Sequence, residues 1–315
     1  MAERAIDVQD LVRTFASGRG TNRTTVEAVR GIDLVVERGE RLAYIGPNGA
    51  GKSTSIKILT GILHPTSGSV RVLGLEPWSE RRALAKRIGV LFGQRSQLWS
   101  ELPARRSLQL IGSIYGLPRA AADARIDEVT ELLDARDLLD QTARTFSLGQ
   151  RMRCELAAAM LHEPEILFLD EPTIGLDLVA KRIFRELIAR LNAERGTTIL
   201  LTSHDVADIE AVAERVVVIN HGTVIYDDTV DEMRRSLLAT KVVDVRFDHP
   251  TTVAVPDDVT VLESTTDTCR LRVDTRRCTI RSVLDVLLDR YEVADISVVD
   301  PPLEDVIGEI YAGRI

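Results

Sequence analysis

The segment Gly46-Pro47-Asn48-Gly49-Ala50-Gly51-Lys52-Ser53 constrains this chain more than any other stretch of it. It fits the pattern GxxxxGK[ST], follows the apolar run Leu42-Ala43-Tyr44-Ile45, and precedes Thr54 to Leu59, a segment able to form a helix. A strand, a glycine-rich turn and a helix in that order make a cradle for phosphate. Glycines let the backbone curl until successive N–H groups converge on phosphate oxygens, and the helix N-terminus adds positive potential. Lys52 is then expected to meet the β and γ phosphates and the Ser53 hydroxyl to ligate Mg²⁺, with Gly46, Pro47, Asn48, Gly49, Ala50, Gly51 and Thr54 completing the nucleotide-binding loop.

The chain around this loop is patterned as an α/β domain. Ile88 to Phe92, Ile166 to Leu169, Thr198 to Leu201 and Val216 to Ile219 read as strands apolar on both faces, which belong in a sheet covered on both sides. Between Phe92 and Ile166, Ile126, Val129, Leu132 and Leu133 recur at helix spacing, which predicts a helical insertion at about residues 95–162. Ala16 to Thr25, rich in Gly, Thr and Arg, predicts an exposed loop. After Tyr226-Asp227-Asp228 the pattern changes: Val243, Val245, Phe247, Leu271 and Val273 alternate with charged residues, as in half-buried antiparallel strands. Ile280, Val283, Leu284, Leu287 and Leu288 then form a helix face. So do Leu303, Val306, Ile307, Ile310 and Tyr311, behind Asp300 as N-cap with Pro301 and Pro302 at the entry. The expected domains are 1–235 and a small α+β domain at 236–315.

Composition removes several function classes. Among 315 residues, 48 acidic side chains outnumber 40 basic ones, a net charge of -8 without the overall basic footprint of a nucleic-acid binder, so no nucleic-acid partner is expected. No run reaches the roughly 18 to 20 apolar residues of a membrane span, and no signal-type apolar core follows Met1-Ala2-Glu3-Arg4. Cys154, Cys269 and Cys278, odd in number and scattered, predict free thiols rather than disulfides or a zinc site.

Asp170 and Glu171 close the buried run Ile166 to Leu169. Consecutive residues at a strand end point to opposite sides, so the two carboxylates are expected to take different tasks. Asp170 is the candidate for holding Mg²⁺ and Glu171 the candidate general base that orients and deprotonates water. An acidic pair ending a strand is by itself a common solvated turn; the phosphate loop upstream turns the balance.

Five motifs in order, GPNGAGKST, FSLGQR at Phe146 to Arg151, ILFLDEP at Ile166 to Pro172, IGLD at Ile174 to Asp177 and TSHD at Thr202 to Asp205, resemble the nucleotide-binding subunits of ATP-binding cassette transporters over about residues 5–230. PPLEDV at Pro301 to Val306 resembles the C-terminal extension of drug, ion or polysaccharide export ATPases of that family. The resemblance implies an α/β P-loop NTPase cassette domain with a helical insertion, followed by the small α+β domain. It implies ATP and Mg²⁺ as ligands and a place on the cytoplasmic face of the cell membrane, working with separately encoded permeases, most similar to export systems. By position, Phe15 stands where an aromatic ring stacks on adenine. Gln94 matches the glutamine that reaches Mg²⁺ and the attacking water and senses the membrane partner. His204 matches the switch histidine that contacts the γ-phosphate and helps to position Glu171 and water. Ser147, Leu148, Gly149 and Gln150 form the signature loop, which in the family faces the phosphate loop of an opposite ATPase subunit, identical or sibling; Leu148 replaces the family's usual Gly. Asp177 falls at the seam of that dimer. Between Gln94 and Leu102, Leu98, Trp99 and Leu102 are candidates either for docking a permease helix or for closing the helical insertion's own core. The alternative from another class is a soluble cassette ATPase acting on ribosomes or nucleic acid; the paired cassettes or long coiled coil usual in those relatives are not seen in the sequence.

Overall fold

The computed structural model describes residues 3–17, 24–93, 96–235, 240–250, 253–256, 258–299, 307–308 and 310–311. The chain divides into two compact units, Met1–Asp228 and Thr229–Ile315, so the division falls ahead of the expected one after residue 235. Among the described residues no helix is long and apolar enough to cross a membrane.

In the first unit, β1 (Arg4–Ser17) and β2 (Thr24–Glu37) pair antiparallel, with Ile6 opposite Val36 and Val8 opposite Leu34. The expected Ala16 to Thr25 loop is corrected at its ends, where Ala16 pairs with Thr25 and Ser17 with Thr24; residues 18–23 lie outside the described residues. After β3 (Arg41–Ile45) and α1 (Lys52–Leu59) comes β4 (Ser67–Val72), which pairs with the other side of β1. Ile6, Val8, Leu34, Val36, Val70 and Val72 are buried in one core with Ile56 and Leu59 of α1.

The second sheet joins β3 to strands from later in the chain. The later elements are α2 (Arg81–Ala85), β5 (Ile88–Phe92), α3 (Ala104–Ile114), α4 (Arg119–Leu132), α5 (Leu148–Met160), β6 (Ile166–Asp170), α6 (Leu178–Arg195), β7 (Thr198–Thr202), α7 (Val206–Val212), β8 (Arg215–Asn220) and β9 (Thr223–Thr229). Strand order is β5-β6-β7-β3-β8-β9, with parallel pairing from β5 through β8. The period-two rule explains the uninterrupted apolar runs. Ile166 and Phe168 of β6 enter the core shared with α1, whereas Leu167 and Leu169 enter a second core on the opposite face. That second core also holds Leu108 of α3, Ile126 and Val129 of α4, and Leu156 of α5. Leu98 belongs to it, so at this position the core reading holds; Leu102 is half-buried, and Trp99 stays 42% exposed.

The second unit contains α8 (Val230–Arg235), β10 (Thr240–Phe247), β11 (Val259–Ser264), β12 (Thr268–Asp274), α9 (Ile280–Arg290) and β13 (Val293–Val299). Its antiparallel sheet has the order β11-β12-β10-β13. Val243, Val245, Phe247, Leu271 and Val273 face Val283 and Leu287 of α9 in one core. Leu288 departs from the expected helix face: it is 56% exposed, one position past the stripe that Val283 and Leu287 set. Ile307 and Ile310 are buried, whereas Asp300, Pro301, Pro302, Leu303 and Val306 lie outside the described residues. All three cysteines are free thiols; burial pushes the Cys154 thiol up to about 12.

Candidate functional site

The phosphate loop is pinned where β3 ends. A Cβ at Gly46 would sit 2.3 Å from the Ile219 carbonyl oxygen of β8, and at Gly51, with φ +111°, 2.5 Å from that of Ala28 in β2. Only glycine fits between these strands. The Ala50 N–H donates to the Pro47 carbonyl at 3.1 Å, and the Gly222 N–H to the Ala50 carbonyl at 3.0 Å, which fixes the curl. Gly51 is the N-cap of α1, and the first turn of that helix carries no acidic residue, so its positive end is not offset. Lys52 is buried, and its Nζ donates to the carbonyl oxygens of Gly46 (2.5 Å) and Pro47 (3.3 Å). Burial lowers its pKa, and the nearby charges of Glu171 and Asp170 oppose that fall. Ser53 is exposed and Thr54 half-buried.

Asp170 ends β6 and pairs in register with Thr202, the last residue of β7. The Thr202 hydroxyl donates to Asp170 Oδ1 at 2.7 Å, while the Glu171 N–H donates to the Thr202 carbonyl and hydroxyl at 3.1 and 3.0 Å. The alternation rule fails at this step. Glu171 adopts φ +52°, so the chain turns and both carboxylates line one open cleft of about 550 Å³ instead of opposite sides. Asn48, Ser53 and His204 line the same cleft, and His204 Nε2 lies 2.8 Å from Glu171 Oε1. Hydroxyl and carboxylate oxygens are the donors that suit Mg²⁺. No cluster of three or more His, Cys, Asp or Glu side chains among the described residues makes a protein-only cage, and a nucleotide-bound Mg²⁺ needs only one or two carboxylates.

The signature residues lie elsewhere. Ser147 caps α5 in a reciprocal box: the Gln150 N–H donates to Ser147 Oγ at 3.3 Å, and the Ser147 N–H to Gln150 Oε1 at 2.9 Å. Asp177 caps α6 through the Ala180 N–H at 2.8 Å. Ser147, Leu148, Gly149, Gln150 and Asp177 line a separate groove of about 300 Å³, and none of them lines the phosphate cleft. Leu148 is 48% exposed, and its Cδ2 would be 2.9 Å from a Cβ on Gly175. Phe15, near the end of β1, does not line the cleft either; the Arg13 guanidinium lies 4.5 Å over its ring. Gln94 lies outside the described residues. Sequence reasoning named Thr202 only as the start of TSHD, with no role of its own, and missed the buried Asp208. Their signal is a polar residue inside a buried run, and Asp208 sits among Val206, Ile209 and Val212 on the inner face of α7.

A family model described as ABC transporter matches residues 29–174. The ABC transporter ATP-binding protein NatA of Bacillus subtilis (strain 168) is 36% identical over 231 residues, which cover 73% of this chain and 92% of NatA. The chain belongs to the ABC transporter ATP-binding proteins. The daunorubicin resistance ATP-binding protein DrrA3 of Streptomyces coeruleorubidus is 38% identical over 234 residues, 74% of this chain and 71% of its own length. Among solved structures, an ATP-binding cassette in a dimeric post-hydrolysis state with ADP and Pi superposes with a TM-score of 0.64 at 23% identity, over 71% of this chain and 98% of that one, and so shares the fold. The ABC cassette fold accounts for the two cores and the strand-end cleft, and the chain is an ATP-binding subunit of that family.

Proposed function

We propose that this ATP-binding subunit hydrolyses ATP and couples hydrolysis to export through separate membrane permeases. One observation carries the reading: Glu171 and His204 meet at 2.8 Å at the rim of a cleft that Ser53 and Asp170 also line. Lys52 and the loop amides bind the β and γ phosphates, while Phe15 stacks on adenine. Ser53, Asp170 and Gln94 hold Mg²⁺, which when bound neutralises phosphate charge. Glu171 orients water and takes its proton; His204, on Glu171 and toward the γ-phosphate, fixes that carboxylate. Phosphoryl transfer to water needs little beyond such positioning and charge.

Ser147 lines a groove of its own, so on this reading its hydroxyl and the first amides of α5 serve the ATP of a second subunit, same or sibling. Asp177 lies at that seam, and the dimeric cassette solved with ADP and Pi supports the arrangement. ATP then joins two faces and hydrolysis separates them. Trp99, exposed beside the buried Leu98, is the candidate contact for a permease helix at the cytoplasmic membrane face. The name of the resistance protein DrrA3 supports export. The unit from Thr229 to Ile315 is read as a separate α+β domain after the cassette.

Phosphate release by the full chain with and without Glu171→Gln tests the chemistry: the substitution is expected to lower release by roughly 100-fold or more, and equal rates would sink it. Recovery of a membrane protein with the chain from detergent extracts tests the coupling. Recovery of ribosomes or DNA in its place would overturn it.

A further inference from the structure

Asp208 is fully buried, and a buried carboxylate is tolerated only where donors surround it. Its donors come from separate segments. Arg185 Nε of α6 reaches Oδ1 at 2.6 Å; on Oδ2 converge the Thr173 hydroxyl at 2.5 Å and the Ser203 hydroxyl at 2.8 Å. Thr173 lies two residues beyond Glu171, and Ser203 immediately precedes His204. The residue on the other side of His204 joins the same cluster. Asp205 accepts from Lys181 Nζ at 2.5 Å, lies 3.3 Å from the Arg185 guanidinium, and donates its N–H to Ser203 Oγ at 3.0 Å. Burial alone would raise the Asp205 pKa; Lys181 and then Arg185 outweigh it and lower it.

We propose that Asp208 is a positioning residue that sets the Glu171–His204 contact by holding Thr173, Ser203 and Arg185 on one carboxylate. The proposal rests on the hydrolytic reading of Glu171 and His204. Asp208 touches neither reacting group, so it acts on turnover through His204. A neutral amide of the same size cannot accept from all of these donors, and the loop carrying His204 loses its registration against α6.

The test is a double-mutant cycle in the full chain, with phosphate release measured across ATP concentration. Asp208→Asn is expected to lower kcat by roughly ten-fold with KM for ATP within about two-fold. In the His204→Ala background the same substitution is expected to lower kcat no further. The His204 ring nitrogen chemical shifts should also move in the Asp208→Asn protein. Equal fold losses in both backgrounds, or a rise in KM at constant kcat, overturn the positioning role while leaving the hydrolytic reading intact. If His204→Ala itself leaves kcat unchanged, that reading of His204 fails, and the positioning role fails with it. Should Asp208→Asn not fold by urea titration, Thr173→Val and Ser203→Ala, which each remove one donor, run in the same cycle with the same expected outcomes.

Discussion

The two units bury different kinds of side chain. The first, Met1–Asp228, encloses Lys52, Arg125, Glu155 and Asp208 together with several threonines and serines; among the described residues of the second, the buried side chains are apolar. Burying a charge costs free energy that hydrogen bonds recover only when geometry is good, so charge is kept inside where it fixes positions. Lys52 spans the phosphate loop, and Asp208 gathers the segments beside Glu171 and His204. The second unit closes with Val243, Leu271, Val283 and their neighbours, packing that demands volume and little else. A buried charge thus marks where this molecule needs geometry as well as stability.

Two substitutions set that contrast at its widest. On the proposed reading, Lys52→Ala removes the ammonium that would neutralise phosphate charge, and phosphate release is expected to fall by roughly 100-fold or more. Its urea midpoint should move little, because the lost amine was carrying a burial penalty. Retention of more than about a tenth of the rate would break the assignment. Leu271→Ala, in a fully buried position of the second unit, is expected to cost about 2–5 kcal/mol in that unit's unfolding, read by denaturant titration. Phosphate release by the folded protein should stay within about two-fold. Loss of turnover without unfolding would mean that the second unit governs the chemistry.

Legibility in the sequence tracks the same contrast. Ile166 to Leu169 reads as a strand because both faces are buried, and the motifs at Gly46, Asp170 and His204 are local in sequence, so their proximity needs only the sheet. The antiparallel partners β1, β2 and β4 were less legible. The pairing of β1 with β2 shifts register between Arg4 and Ile6, Val8 and Leu11, Leu11 and Val12, and Arg13 and Thr14, and that of β1 with β4 between Gln9 and Val12, which breaks the alternation that marks a strand. The hairpin ends at Ala16 and Thr25 look like loop because small polar residues carry them. Leu98 and Trp99 differ by one position yet one is core and one is exposed, a distinction that so short a segment has no period to reveal. The carboxylate of Asp208 draws on residues 35, 23 and 5 positions away, spacings that belong to no motif.

A smaller effect is expected at the signature groove. Gly175 has φ +75°, and a Cβ there would lie 2.9 Å from Leu148 Cδ2. Gly175→Ala should destabilise the first unit by about 1–2 kcal/mol through backbone strain and this clash. In the Leu148→Gly background only the strain remains, so the cost should be smaller. Urea titration of the four proteins gives the coupling, and strict additivity would show that Leu148 does not rest on the Asp177 loop.

The smallest effects concern two acids whose pKa values move in opposite directions. Glu155 of α5 is buried and accepts from the Ser96 hydroxyl and, at 2.9 and 3.1 Å, from the Gln97 N–H. Burial pushes its pKa up, and these donors pull it only partly back. Asp274, in the second unit, is held below the usual carboxylate range first by its hydrogen bond from the Arg276 side chain and then by the Arg276 backbone N–H. A raised acid binds its proton more tightly when folded. Its stabilising contribution is therefore full below the unfolded value and lost as pH rises through the folded one. A depressed acid does the reverse: its contribution is full above the unfolded value and lost as pH falls through the folded one. The stability of the wild type minus that of Glu155→Gln should accordingly fall with rising pH, and that of the wild type minus Asp274→Asn should rise. Urea midpoints read the Glu155 slope from the ordinary carboxylate value upward and the Asp274 slope from that value downward. Slopes of the same sign would mean that burial does not dominate at Glu155, and the distinction between a unit that buries charge and one that keeps it at the surface would lose its electrostatic half.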